Sequence, residues 1–331
     1  MTDQFGRTIN YMRVSVTDRC NLRCVYCMPP EGVPCLSHRN ILTYDEITRI
    51  CRTGAGLGIS RIKLTGGEPL VRRGLPDLLG MIRKIPGIEQ VTLTTNGILL
   101  KDKINELVSN GLNTVNISID SPDPDRYEKI TRGGRLEDAL AGLEAALSCT
   151  GLGVRVNCVP MQETPPEDII GLASLAEDRE LDVRFIEMMP IGLGKNFGMI
   201  SGSRIRSLLE DRFGSAGLCA ENRGNGPAVY VRFPGFKGRI GFIDALSHQF
   251  CGTCNRVRLT SEGYLKSCLQ YETGVDLRQL LRNGAADEEV KNEMLKAIHE
   301  KPACHQFAGK GEACGSGGQL LETRDMSQIG G

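Results

Sequence analysis

The sequence predicts an α/β protein: a closed or partly open (β/α) barrel followed by a smaller C-terminal α+β region. Three observations predict it. Six short β-like runs alternate with amphipathic helical stretches, the pattern of a parallel sheet with helical crossovers. A length of 331 residues exceeds one ordinary domain of roughly 150 but suits a barrel with an appendage. Beyond residue 215 the alternation gives way to hairpin-like segments, so the expected division is 1–215 and 216–331.

RVSVTD (13–18) reads as the first strand and runs directly into a cysteine-rich loop. RIKLT (61–65), QVTLTT (90–95), TVNISID (114–120), GVRVNCV (153–159) and DVRFIEM (182–188) are the next five strands. Helical patterns lie near 43–57, 75–85, 101–110, 135–149 and 166–179. The first carries a capping-box signal, with Thr43 as N-cap and Glu46 three residues on. In the C-terminal region 228–233, 239–243 and 256–260 read as strands of a small sheet, with turns at PGFKG and SEGY. Helices follow near 276–283 and 286–299, and GKGEACGSGG (309–318) reads as a flexible connector.

Composition narrows the function. Lys+Arg and Asp+Glu are both 40, and this balance argues against a non-specific nucleic-acid binder. No run of 18 apolar residues exists, so no membrane span is expected. MTDQFGRTINYMR lacks the apolar stretch of a secretory signal. Thirteen cysteines, several of them clustered, then point to metal binding in a reducing, cytoplasmic compartment.

Barrel chemistry sits at the C-terminal ends of strands. There the sequence places the cysteine loop, TGGEP (65–69), TNG (95–97), SID (118–120) and MMPIG (188–192). Cys20, Cys24 and Cys27 have the spacing C-x3-C-x2-C. Three thiolates can hold three corners of a [4Fe–4S] cube, leaving one iron open to a small molecule. A zinc site completed by a distant His or Cys is the alternative. Arg19 and Arg23 offer positive charge to a net-negative cluster, and Tyr26 offers a flat face.

CNLRCVYC, followed after the next strand by TGGEP, resembles the radical S-adenosylmethionine enzymes. The resemblance implies a partly open (β/α)6-type radical SAM barrel. It also implies S-adenosylmethionine on the open iron, cleaved reductively to a 5′-deoxyadenosyl radical, with the cofactor carrying the hard chemistry. It places Tyr26, Gly67, Ser118 and Met189 at cofactor-contacting positions; for Ser118 and Met189 ordinary barrel packing is the alternative. Gly66 and Gly67 would let the backbone approach the ligand, with amide and carbonyl groups available to its methionine end.

A second triplet, Cys251, Cys254 and Cys268, has the spacing C-x2-C-x13-C and again no obvious fourth ligand. His248 would complete a zinc site; the other reading is a second [4Fe–4S] cluster. Two such triplets resemble, from Tyr11 to Gly331, the branch of the family that begins molybdenum cofactor biosynthesis. NRVRLT after the second C-x2-C and the ending MSQIGG belong to the same pattern. The resemblance implies two [4Fe–4S] clusters, S-adenosylmethionine, and GTP as substrate with its guanine on the second cluster. It implies an unidentified electron donor, and a downstream enzyme that takes the cyclised nucleotide to cyclic pyranopterin monophosphate. It allows a homodimer, with neither nucleic acid nor membrane as partner.

A triphosphate of about four negative charges calls for Arg forks and Lys point charges. The resemblance assigns GTP to Arg13, Lys63, Thr94, Arg155, Arg256, Val257 and Arg258. Relatives often carry Arg at 63 and Lys at 155, so charge is kept there and bidentate geometry is not. Arg256 and Arg258 are also catalytic candidates, with the tail residues Gly330 and Gly331, which lack side chains and can thread a narrow channel into the site. Two rival readings stay open: another radical enzyme with an auxiliary cluster that modifies peptides, and a zinc-stabilised binding protein. No G-x-S-x-G, H-E-x-x-H or P-loop is present, so hydrolysis is not the expected reaction. Cys51, Cys149 and Cys158 read as core residues. Cys304, His305 and Cys314 read either as a further metal site or as tail.

Overall fold

The computed structural model describes residues 1–34, 36–219, 226–307 and 320–330. Its strands are β1 (Tyr11–Ser15), β2 (Arg61–Thr65), β3 (Gln90–Thr95), β4 (Thr114–Ser118), β5 (Gly153–Cys158), β6 (Asp182–Ile186), β7 (Gly217–Leu218), β8 (Val229–Arg232), β9 (Arg239–Ile243), β10 (Arg256–Leu259), β11 (Tyr264–Lys266) and β12 (Gly274–Asp276). Its α-helices are α1 (Tyr44–Gly56), α2 (Leu75–Arg83), α3 (Ile104–Ser109), α4 (Pro124–Thr131), α5 (Leu136–Leu147), α6 (Pro166–Ser174), α7 (Gly202–Phe213), α8 (Leu277–Arg282), α9 (Asp287–His299) and α10 (Met326–Ile329).

The strands form one open sheet in the order β12-β11-β10-β1-β2-β3-β4-β5-β6-β9-β8-β7. β1 to β6 are parallel neighbours with helices on the crossovers, as the alternation predicts. The C-terminal segments correct the sequence reading. They build no small sheet of their own: β10 adds to β1 and β9 adds to β6, both parallel. The barrel's two edges carry unpaired N–H and C=O groups, and these strands satisfy them. The turns at PGFKG and SEGY do make hairpins, β8–β9 and β10–β11.

Several boundaries move. β1 begins at Tyr11 and stops at Ser15; beyond it Val16 N–H donates to Thr65 O and Thr17 O accepts from Gly67 N–H, both at 2.8 Å. β4, β5 and β6 end before residues 119, 159 and 187, and α6 ends at Ser174 rather than near 179. Helices α4 and α7 are additions to the sequence reading, and both have caps. Asp123 accepts from Arg126 N–H ahead of Pro124, and Ser201 accepts from Arg204 N–H. The capping box of α1 forms as expected, with Glu46 N–H on Thr43 Oγ1 at 3.1 Å and Thr43 N–H on Glu46 Oε2 at 2.7 Å.

Period-two alternation gives the sheet two chemistries. Met12, Val14, Ile62, Leu64, Val91, Leu93, Val115, Ile117, Val183 and Phe185 join the buried apolar core under the helices. Cys51 and Cys158 are buried in it, and Cys149 packs against it. The intervening residues turn to the concave side, and nearly all are polar: Arg13, Lys63, Thr94, Asn116, Arg155, Arg184, Arg256 and Arg258.

Candidate functional site

The loop carrying Cys20, Cys24 and Cys27 leaves the C-terminal end of β1, and all three thiols are half-buried. It is tied down from within and without. Arg23 Nη1 donates to Cys20 O at 2.7 Å and Leu22 O at 2.8 Å, while Arg23 N–H and Val25 N–H donate to Thr131 O and Ile130 O at the end of α4. Arg23 therefore braces the loop backbone, and Arg19 is exposed. The Tyr26 hydroxyl donates to Asp120 Oδ2 at 2.6 Å, and Asp120 Oδ1 accepts from Val159 N–H at 2.9 Å. Burial pushes the Cys20 thiol up to about 11 and Cys27 up to about 12. Such thiols become thiolates only when a cation takes their charge.

The TGGEP turn contacts this loop more closely than the sequence suggests. A Cβ on Gly66 would lie 2.4 Å from Thr17 O, and one on Gly67 would lie 2.5 Å from Arg19 O. Gly67 N–H donates to Thr17 O at 2.8 Å. The glycines let two backbones dock, and that docking sets the cysteine loop. Glu68, unassigned by sequence reading, is 1% exposed and accepts from Leu70 N–H at 2.9 Å, Thr95 Oγ1 at 2.8 Å and Asn96 N–H at 2.7 Å. Burial raises its carboxyl to about 7 against these hydrogen bonds. Ser118, at the end of β4, and Met189, just after β6, are half-buried at this same end of the sheet.

Below this end the lumen is strongly cationic. In-register pairing sets Arg13 beside both Lys63 and Arg258, and Arg155 beside Asn116 and Asp182. Burial first, then Arg13, Arg184, Arg155 and Arg256, hold the Lys63 ammonium well below its usual range. Burial also depresses Arg13 and Arg258, with further repulsion from their cationic neighbours. Arg13 Nε and Arg256 Nε are buried without a hydrogen-bond partner. The acidic counterweight is Asp182, which holds Arg155 at 3.4 Å and Arg239 at 2.7 Å. Arg184 is a lumen residue that sequence reading missed. Its guanidinium donates to Asn116 Oδ1 at 2.5 Å and Asn157 Oδ1 at 2.6 Å. The signal was available, since Arg184 sits two residues after Asp182 on the inward phase of β6. Thr94 receives Asn116 Nδ2 at 3.5 Å, whereas the Val257 side chain lies in the apolar core, so only its main chain can face a ligand.

Cys251, Cys254 and Cys268 are half-buried and lie at the opposite end. Cys254 precedes β10, which runs parallel to β1, and Cys268 follows the antiparallel β11. The second triplet is thus at the N-terminal ends of the barrel strands, a position the sequence reading did not assign. Strand β1 separates the two triplets, roughly 15 Å at about 3.3 Å per residue. Glu187, 2% exposed, accepts from Leu246 N–H at 2.7 Å and Ser247 N–H at 3.0 Å and so anchors the loop leading to Cys251. Burial would raise Cys254, but Lys301, Arg256, an Arg256 amide hydrogen bond and Arg7 outweigh it and bring the thiol down to about 7. A cavity of about 810 Å3 opens alongside, lined by residues including Arg61, Asp244, His248, Phe250, Asn255 and Arg256.

His248 is poorly placed to complete a zinc site at the second triplet. The His248 side chain is 76% exposed and leans on Asp244 at 3.7 Å. Among the described residues no three His, Cys, Asp or Glu side chains converge on a single-ion site. Cys304 is disulfide-bonded, which removes it from any further metal site. Cys35, Cys314 and Gly331 lie outside the described residues.

The tail reaches the lumen. Gly330 O accepts from Arg258 Nη1 at 2.9 Å, and with φ +88° a Cβ at Gly330 would lie 2.8 Å from Ser15 Cβ. Upstream the tail pairs with the C-terminal sheet through a Tyr271–Leu321 bridge and a buried Lys266–Glu322 ion pair.

Residues 14–176 match the Radical SAM superfamily, and residues 181–307 match Molybdenum Cofactor Synthesis C. A GTP 3′,8-cyclase of Clostridium perfringens is 45% identical over 310 residues, covering 94% of this chain and 96% of that protein. One of Petrotoga mobilis is 42% identical over 336 residues, covering 100% of both. Among solved structures, Streptococcus suis SuiB bound to S-adenosylmethionine is similar in fold, with a TM-score of 0.56 at 14% identity. That match covers 89% of this chain and 65% of SuiB. No helix among the described residues is long and apolar enough to cross a membrane. With its open barrel, its two cysteine triplets and full-length relatives above 40% identity, the chain belongs to the GTP 3′,8-cyclase family of radical S-adenosylmethionine enzymes.

Proposed function

We propose that this chain converts GTP to 3′,8-cyclo-7,8-dihydro-GTP by holding the nucleotide along the lumen between two iron–sulfur sites. The observation that carries this is the cationic lumen of Arg13, Lys63, Arg155, Arg184 and Arg258, which lies between the two cysteine triplets. Family membership implies one [4Fe–4S] cluster and S-adenosylmethionine, and Cys20, Cys24 and Cys27 are the residues to hold them. When bound, that pair supplies an electron and a 5′-deoxyadenosyl radical able to take hydrogen from the ribose. Cys251, Cys254 and Cys268 would hold a second cluster with an iron open to the guanine, with the barrel at 1–215 and the auxiliary region at 216–331.

The chain's own residues do the positioning. Asn116 and Asn157 orient Arg184, and Asp182 orients Arg155, so two guanidiniums are aimed before substrate arrives. A triphosphate in the lumen would relieve the mutual repulsion of these cations and supply the counter-charge that favours a protonated Lys63. Tyr26, Gly67, Ser118 and Met189 would line the cofactor at the upper end. Arg258, holding Gly330, keeps the tail against Ser15 and Thr65 and would close the lumen to water. Proximity of this kind supplies on the order of 7 kcal/mol or more in ideal cases.

The electron donor and the downstream enzyme that takes the product to cyclic pyranopterin monophosphate are partners of this reading. The test is anaerobic reconstitution followed by metal counting and product analysis. About eight irons per chain, with cyclised nucleotide formed from GTP and S-adenosylmethionine, is the expected result. About four irons would leave the second triplet without a cluster, and zinc in its place would sink the reading.

A further inference from the structure

Lys301 was singled out by no sequence motif. It is 3% exposed, and its ammonium donates to Arg256 O at 3.0 Å and to Ser267 O. Those two carbonyls flank the second triplet: Arg256 lies two residues after Cys254, and Ser267 immediately precedes Cys268. From the other end of the chain Arg7, 7% exposed, donates to Cys251 O at 2.9 Å. Two buried cations therefore grip the backbone beside all three cysteines.

Their charges differ in one respect. Arg7 is neutralised by Asp3 at 2.6 Å, and nearby Lys266 by Glu322. Among the described residues the recorded partners of Lys301 are carbonyl oxygens alone. Burying an ammonium without a counter-charge is costly, because it loses its hydration and gains no compensating attraction. The carbonyls it holds belong to residues beside Cys254 and Cys268, so a cluster on those cysteines is the anionic group its position serves.

We infer that Lys301 is the resident counter-ion of the second cluster, fixing the chain beside Cys254 and Cys268 and holding the cluster's reduction potential up. The inference rests on the second triplet binding a cluster. One-electron reduction adds a negative charge to the cluster, and a fixed, buried ammonium beside it favours that form. Lys301 is a positioning residue here; it reacts with nothing.

The test uses the full chain with Cys20, Cys24 and Cys27 replaced by Ser, so that only second-site iron is observed. Iron is counted, and the cluster is titrated with dithionite and mediators under electron paramagnetic resonance. Lys301→Met is expected to lower the reduced fraction at fixed poise about tenfold, a shift of about 59 mV for one electron. Lys301→Arg is expected to restore it. Loss of iron in the Met variant but not in the Arg variant supports the inference equally, because charge and not shape then decides occupancy. An unchanged potential in Lys301→Met overturns it, as does equal loss of iron in both variants. If the parent with Lys301 intact binds no iron, the cluster reading itself has failed, and this inference falls with it.

Discussion

Lys63 and Glu68 show how burial sets the chemistry of single side chains in this barrel. Burial and four neighbouring guanidiniums disfavour the charged form of Lys63, so it sheds its proton more readily in the free protein than in a complex with a polyanion. GTP binding should therefore take up a proton between the depressed and the restored pKa, and affinity should fall as pH rises through that window. Calorimetry in buffers of different ionisation heat measures the uptake, and Lys63→Met should abolish it. Glu68 has the opposite sign of charge and an upward shift, from 4.5 to about 7. Folded protein then binds a proton that unfolded chain has released, so this group's stabilisation is full below about 4.5 and lost as pH rises through about 7. Glu68→Gln should flatten that slope in the iron-free chain. Glu68→Ala should cost about 2–5 kcal/mol in denaturant unfolding, because it strands the N–H groups of Leu70 and Asn96 and the Thr95 hydroxyl.

At the scale of elements, the C-terminal region is best understood as edge repair plus a tether. β9 and β10 complete the two barrel edges, and the tail from Leu320 onward is laid across the second-site sheet before it enters the lumen. Its firmest hold is the buried Lys266–Glu322 pair, supported by Arg324 on Glu322 at 2.9 Å. Breaking one partner leaves an uncompensated buried charge, which typically costs about 3–5 kcal/mol. Glu322→Gln should thus release the tail without unfolding the barrel, seen as faster amide exchange over residues 320–330 and loss of cyclisation. Much of this scale was legible in the sequence. β2, β3 and β9 fall where alternation placed them, as does the capped start of α1. What was illegible was long-range. Nothing local to 239–243 or 256–260 says that these strands pair with β6 and β1 rather than with each other. Helix α7 hides in a run of mixed polarity whose signal is only a serine cap and a terminal glycine.

For the whole molecule, both cysteine triplets were legible from spacing, but their placement at opposite ends of one lumen was not. That placement follows from β10 running parallel to β1, a fact of sheet topology. Lys301 and Arg7 went unread for a related reason: each matters through residues 45 to 244 positions away in the chain. The central claim is a division of labour, with radical generation at Cys20, Cys24 and Cys27 and substrate held at Cys251, Cys254 and Cys268. Its most direct test is Cys268→Ser, assayed anaerobically with S-adenosylmethionine, GTP and a chemical reductant, counting two products in one reaction. The account predicts that 5′-deoxyadenosine still forms while the cyclised nucleotide disappears. If both products survive the substitution, GTP is not held at the second triplet and the account is wrong.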